Sequence, residues 1–393
     1  MANSNGWGDG SVNNDIGWGQ GANNSTGWGK SHLNSWSGET DIDGGNLPSN
    51  SVAPAITGTA QEGQTLTCST GTWSGSPSYT YQWKRNGSNI TSATNSTYTL
   101  VTADVGQNIL CTVTATNFVG SATANSNTVV PISAFTGLLD TYSGASAAYS
   151  LRRLSSTYTG NLIRVRRSSD NAEQNIGYDS NNVLDTASLL TFCGAGNGFV
   201  TTWYDQSGNA NNATNSTAIA QPQIVSSGAM ILINGKPSVQ FDGSNDLLNL
   251  GSVITAGASS FNSFVAKRAA SGDNFWALSE KDATGYLLGS ISNTYYYQPK
   301  TTQYQASSAT DTTTNQLLIT GQNNAGTMSI FKNGSTITST ASNLTYSPTI
   351  DSVGRYSGLF SKCNIQETIF YNTNQSTNRT GIESNINTFY TIY

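Results

Sequence analysis

Asn-Gly pairs set between runs of alternating apolar and polar residues constrain this chain more than any other feature. Asn86-Gly87 follows Tyr79-Thr80-Tyr81-Gln82-Trp83-Lys84-Arg85, and Asn333-Gly334 sits between Met328-Ser329-Ile330-Phe331-Lys332 and Ser335-Thr336-Ile337. Asn234-Gly235 marks a third such turn. Asparagine and glycine tolerate the two left-handed backbone positions of a type I′ turn, so each run-turn-run is a β-hairpin signal. Charged residues make up only 10% of the chain, against about 25% in a usual soluble domain. Polarity comes instead from Asn, Ser, Thr and Gly, which favour turns and strand surfaces over helices. The expected class is all-β: an N-terminal Gly-Trp-rich arm, a small β-sandwich and a larger C-terminal jelly-roll sandwich.

The arm covers residues 1–48. Gly-Trp-Gly recurs around Trp7, Trp18 and Trp28, with Trp36 following. Flanking glycines let the backbone approach another surface, and each indole supplies an apolar anchor. The expectation is a docking arm, because exposed tryptophans on a free tail would promote aggregation.

Residues 49–132 carry Cys68, Trp83 and Cys111 at the spacing of an immunoglobulin core, in which a tryptophan packs on an inter-sheet cysteine pair. Gly63-Gln64-Thr65-Leu66-Thr67-Cys68 and Asp104-x-Gly106 agree with that fold. Ile109 departs from it, standing where a tyrosine is usual. Cys68 and Cys111 either form the disulfide or stay as packed thiols.

Residues 133–393 show no internal repeat. Two helices are expected here. One follows an Asp185 N-cap and ends near Gly194; the other runs from about 376 to 389 with Ile382, Ile386 and Phe389 on one face. A net charge of −5 argues against a nucleic acid partner. The only marked basic cluster, Arg152, Arg153, Arg164, Arg166 and Arg167, reads as structural arginines paired with carboxylates or carbonyls. One histidine, His32, and no Cys-x-x-Cys argue against structural zinc. No cofactor is expected. Calcium has one weak candidate site at Asp242, Asn245 and Asp246, where an Asx-type turn is the competing reading. Tyr286, Tyr295, Tyr297 and Tyr304 form the best candidate platform for stacking on sugar rings.

Three segments carry a family resemblance: Ala148-Tyr149-Ser150-Leu151-Arg152-Arg153-Leu154 with the Ile163–Asp170 strand, Val200-Thr201-Thr202-Trp203-Tyr204-Asp205-Gln206-Ser207-Gly208-Asn209, and Phe241-Asp242-Gly243-Ser244-Asn245-Asp246. Together they resemble the catalytic sandwich of α-L-arabinofuranosidases and its concanavalin-A-like (laminin-G-like) relatives of lectin and glucanase type. That resemblance implies a catalytic glutamate at Glu280, after Phe275-Trp276-Ala277-Leu278-Ser279. It puts Arg355 where the acid/base should stand, with Asp351 or Glu367 as substitutes. An arginine holds its proton at neutral pH, so the enzymatic reading is the weaker expectation.

The arm resembles N-terminal segments of tailed-phage structural proteins, and the immunoglobulin-like module resembles those that decorate phage heads and tails. The main expectation is therefore a virion protein, a head or tail decoration or fibre. It would be docked to other virion proteins through residues 1–48 and would present a surface for host glycans; the resemblance to fibres implies a homo-oligomer such as a trimer. The opening residues show no secretory leader and no run of about 18 apolar residues occurs, so a virion component assembled in the host cytoplasm, without a membrane span, fits. The alternatives are a tethered glycoside hydrolase of arabinofuranosidase type and a bacterial cell-surface lectin.

Overall fold

The computed structural model describes residues 46–393, apart from 258, 283–284, 301–302, 307–310, 325–326 and 342–347. The arm tryptophans Trp7, Trp18, Trp28 and Trp36 lie outside the described residues. The chain divides into two compact units between Ala134 and Phe135.

In the first unit, β1 (Thr65–Cys68) belongs to a three-stranded sheet. β2 (Ser78–Arg85), β3 (Ile109–Asn117) and β4 (Gly120–Asn125) form most of a second sheet. β2 and β3 pair with Trp83 opposite Cys111. Trp83, Cys68, Cys111 and Ile109 are all buried in one cluster. Ile109 thus fills with aliphatic volume the position where the fold commonly has a tyrosine. Both cysteines are free thiols. Asp104 holds the Val101 turn, accepting hydrogen bonds from the Arg85 guanidinium (2.7 Å), the Tyr98 hydroxyl (2.9 Å) and the Val101 amide (2.9 Å).

The second unit is an antiparallel sandwich around a large core. Its first strands are β5 (Ala147–Ser150), β6 (Ile163–Arg167), β7 (Gly198–Trp203), β8 (Gln223–Ser226) and β9 (Val239–Asp242). Then come β10 (Leu248–Thr255), β11 (Ser259–Arg268), β12 (Phe275–Ser279), β13 (Leu287–Ile291) and β14 (Thr294–Lys300). β15 (Leu317–Asn324), β16 (Thr349–Val353) and β17 (Lys362–Tyr371) complete the set used below. The strands form one hydrogen-bonded network that closes on itself. β17 lies at its centre, pairing with β5, β9 and β11. Its residues are almost all buried, as expected of a strand covered on both faces.

The Asn-Gly turns form as the sequence predicts. Asn86, Asn234 and Asn333 have φ of 48°, 48° and 51°, and the glycines that follow are also left-handed. Helix α1 (Thr186–Cys193) is capped by Asp185, which accepts a hydrogen bond from the Ser188 amide at 3.0 Å, and Gly194 ends it at φ 56°. Helix α2 (Arg379–Tyr390) starts a few residues later than expected and buries Ile382, Ile386 and Tyr390. Among the described residues no helix is long and apolar enough to cross a membrane.

Candidate functional site

β12 and β16 pair antiparallel, with Leu278 opposite Val353 and Ser279 opposite Ser352. One step further in that register, Glu280 stands opposite Asp351. Residues directly opposite in an antiparallel pair share a face, with Cβ atoms about 4.5–5.5 Å apart. The Lys281 amide fixes this juncture by donating to Asp351 Oδ1 at 2.8 Å, and Lys281 Nζ lies 3.7 Å from Asp351 Oδ2. The Glu280 backbone is held on both sides: its amide donates to the Tyr286 carbonyl (3.1 Å), and its carbonyl accepts from the Ser357 amide (3.2 Å). Glu280 Oε2 is buried without a hydrogen-bond partner among the described residues. Gly285 lies directly beneath it, and a Cβ there would overlap the carboxylate.

Arg355, expected in the place of an acid, lies beside this pair. It forms an ion pair with Asp282 at 3.0 Å and stacks over Phe360. Its carbonyl accepts from the Ser279 and Ser352 hydroxyls at 2.7 and 2.9 Å, which ties the 355 turn to the ends of β12 and β16. Glu367, the other substitute acid, is fully buried in an ion pair with Arg152 at 2.8 Å and belongs to the core. Three carboxylates thus stand in this region: Glu280 and Asp351, which face each other, and Asp282, which is paired with Arg355.

The tyrosine platform is not formed. Tyr286, Tyr295 and Tyr297 are 0%, 2% and 0% exposed. Tyr286 packs edge-on against Tyr297 and Phe370, and Tyr295 against Phe275. The Tyr297 hydroxyl pairs with Ser260 at 3.0 Å. Alternation does put Tyr295 and Tyr297 on one face, but that face is the inner one, where burial of their rings favours folding. The Tyr304 side chain lies outside the described residues.

The weak calcium site is a turn. Asp242 Oδ1 accepts from the Ser244 and Asn245 amides at 2.7 and 3.2 Å, and Asp246 Oδ2 accepts from the Asp242 amide at 2.9 Å. Those bonds engage one oxygen of each carboxylate in holding the turn, and no group of three or more His, Cys, Asp or Glu placed to hold a metal occurs among the described residues.

The arginines are dispersed among structural partners. Arg164 pairs with Glu173 and Arg167 with Asp170, while Arg153 donates to the Tyr158 carbonyl. Asp205 is likewise structural, accepting from the amides of Ala148, Ser207 and Asn211 at 2.9–3.0 Å. Sequence reasoning missed a polar cleft on the outer face of β6–β9. Its one signal was glutamine, not Thr or Ser, at outward strand positions 223 and 240.

This architecture is that of a glycoside-hydrolase-like β-sandwich. The family model for the catalytic domain of α-L-arabinofuranosidase B matches residues 140–232, a stretch that ends before Glu280. Among solved structures, a family-54 α-L-arabinofuranosidase soaked with a cyclic sulfate inhibitor aligns at 18% identity over 64% of this chain and 65% of its own, with a TM-score of 0.50. An arabinofuranosidase complexed with an arabinofuranosyl xylobiose aligns at 17% identity over 64% of each chain, with a TM-score of 0.49. The chain thus spans just under two thirds of the length of these structures. No curated protein matches it.

Proposed function

We propose that the C-terminal sandwich cleaves a glycosidic bond with retention of configuration, with Glu280 as nucleophile and Asp351 as acid/base, on a glycan of arabinofuranoside type. The observation that carries this reading is the cross-strand position of Glu280 and Asp351; retaining hydrolysis needs two carboxyl groups about 5–5.5 Å apart. In the first step a Glu280 oxygen bonds to the anomeric carbon as the bond to the leaving oxygen breaks, and that oxygen takes the proton of Asp351. In the second, water attacks the anomeric carbon, gives its proton to Asp351 and frees Glu280. The unpartnered Glu280 oxygen supports the nucleophilic role, and Gly285 leaves it room. Residues 1–48 would tether the enzyme to a particle or surface.

The test is release of 4-nitrophenol from 4-nitrophenyl α-L-arabinofuranoside, and of arabinose from arabinan and arabinoxylan, by the full chain. Glu280→Gln and Asp351→Asn should each lower turnover by about 100-fold or more. Absence of turnover on all three substrates rejects the proposal.

The Arg355–Asp282 ion pair favours a second reading, a displayed sandwich that binds glycan without cutting it. Binding of arabinan or arabinoxylan with no sugar released would select that reading, and with it the virion-display role drawn from the arm.

A further inference from the structure

A row of side chains crosses the outer face of β6–β9. Arg166 on β6 stands opposite Phe199 on β7, Phe199 opposite Gln223 on β8, and Gln223 opposite Gln240 on β9. The residues next to them in sequence, Val165, Val200, Ile224, Val239 and Phe241, are buried in the core. Strand alternation therefore points the row outward. With Asp246 from the following turn, the row lines a cleft of about 480 Å3. That size suits a small ligand.

The cleft is pre-set. Arg166 is held by three neutral acceptors, Gln221 Oε1 at 2.7 Å, Asn171 Oδ1 at 2.8 Å and the Ala218 carbonyl at 3.1 Å, and it stacks on Phe199. Gln223 donates to the Val225 carbonyl, which fixes its amide. Gln240 makes no side-chain hydrogen bond among the described residues. Asp246 is 6% exposed. One of its oxygens accepts from the Asp242 amide, and the other has no hydrogen-bond partner among the described residues. Ile219 is 79% exposed at the rim.

Charge narrows the ligand. Arg166 disfavours a cation, and Asp242, which also lines the cleft, disfavours an anion. A neutral molecule rich in hydroxyls remains. Amides supply donors and acceptors at defined angles, a buried carboxyl accepts from hydroxyls, and Phe199 with Ile219 offers apolar surface to the C–H face of a ring. We infer that the cleft between Arg166, Phe199, Gln223, Gln240 and Asp246 binds one neutral sugar unit of a glycan. This site uses none of the residues of the Glu280–Asp351 pair.

Saturation-transfer NMR and calorimetry on the full chain test this, with the methyl glycosides of L-arabinose, D-xylose, D-galactose, D-glucose and N-acetylglucosamine and with arabinotriose as probes. At least one neutral probe should bind. Gln240→Leu and Phe199→Ala should each weaken that binding at least tenfold while retaining the wild-type melting temperature. Phe199 and Gln240 face outward, and a Gln223→Ala variant serves as a third if either fails to fold. Glu280→Gln should leave this binding within twofold of wild type. The inference is overturned if none of these probes binds, if binding survives the cleft substitutions, or if Glu280→Gln alone abolishes it. Loss of turnover without loss of this binding would sink only the hydrolase reading, and the reverse would sink only the cleft.

Discussion

Arg152 grips Glu367 through two parallel hydrogen bonds, Nε to Oε2 at 2.8 Å and Nη2 to Oε1 at 3.0 Å, with both side chains buried. Ser150 donates to the same carboxylate at 2.7 Å, and the Arg152 guanidinium lies over the Phe389 ring. The pair therefore joins β5, β17 and α2. Removing one partner of such a pair strands a buried charge, which typically costs about 3–5 kcal/mol. Glu367→Gln should lower the denaturant midpoint by a corresponding amount. The double variant Arg152→Met with Glu367→Leu should recover part of the loss, because no charge is then buried. Equal midpoints for wild type and Glu367→Gln would show that the pair contributes little.

Gly285 determines where the Glu280 carboxylate can sit. A methyl group at 285 overlaps that carboxylate, so Gly285→Ala must move it. Overpacking of this kind costs about 1–3 kcal/mol, and the hydrolase reading predicts a turnover loss of about 100-fold that stability alone does not explain. Gly235→Ala is the control. It forces a side chain into a left-handed turn position at φ 73° with open space around it. It should cost about 1 kcal/mol and leave turnover unchanged. If both variants lose turnover in proportion to stability, the carboxylate position is not the cause.

Local chemistry was legible in the sequence. The Asn-Gly turns, the Asp185 cap and the Trp83–Cys111 pairing each depend on residues close in sequence or on a well-defined module spacing. The tyrosines show the limit of periodicity. Alternation predicts that Tyr295 and Tyr297 share a face, but which face is inward depends on β13, β15 and their partners. The facing of Glu280 and Asp351 is non-local in the same way, since strands distant in sequence set its register. The cleft row spans four strands, and no single segment of it looks unusual.

Asp246 should give the protein a measurable pH signature. Burial, then the nearby charge of Asp242, pushes its carboxyl up to about 7 from an ordinary value of 3.8. The folded state then binds more protons than the unfolded state between about pH 4 and 7, so this group's contribution to stability is lost as pH rises through that window. The loss is at most about 4 kcal/mol at pH 8, from roughly three units at 1.36 kcal/mol each. Asp246→Asn keeps an acceptor for the Asp242 amide and removes the penalty. Denaturant titrations should show the variant gaining on wild type from pH 4 to pH 8. A difference that does not change with pH would mean that Asp246 ionises as it would in water.

The cysteines offer a check on the first module and on the sandwich together. Cys68, Cys111, Cys193 and Cys363 are all buried free thiols. Reaction with a thiol reagent requires both access and the thiolate, and burial withholds both. Burial also raises the Cys193 and Cys363 thiols above their ordinary range. The Cys68 and Cys111 thiols influence each other's ionisation, which lowers the first and raises the second. Native protein should therefore react negligibly with a thiol reagent over minutes, and protein unfolded without reductant should show all 4 cysteines of the chain as thiols. A titre of about two after unfolding would reveal a Cys68–Cys111 crosslink. Rapid reaction of the native protein would mean that one of the cores opens far more readily than its packing implies.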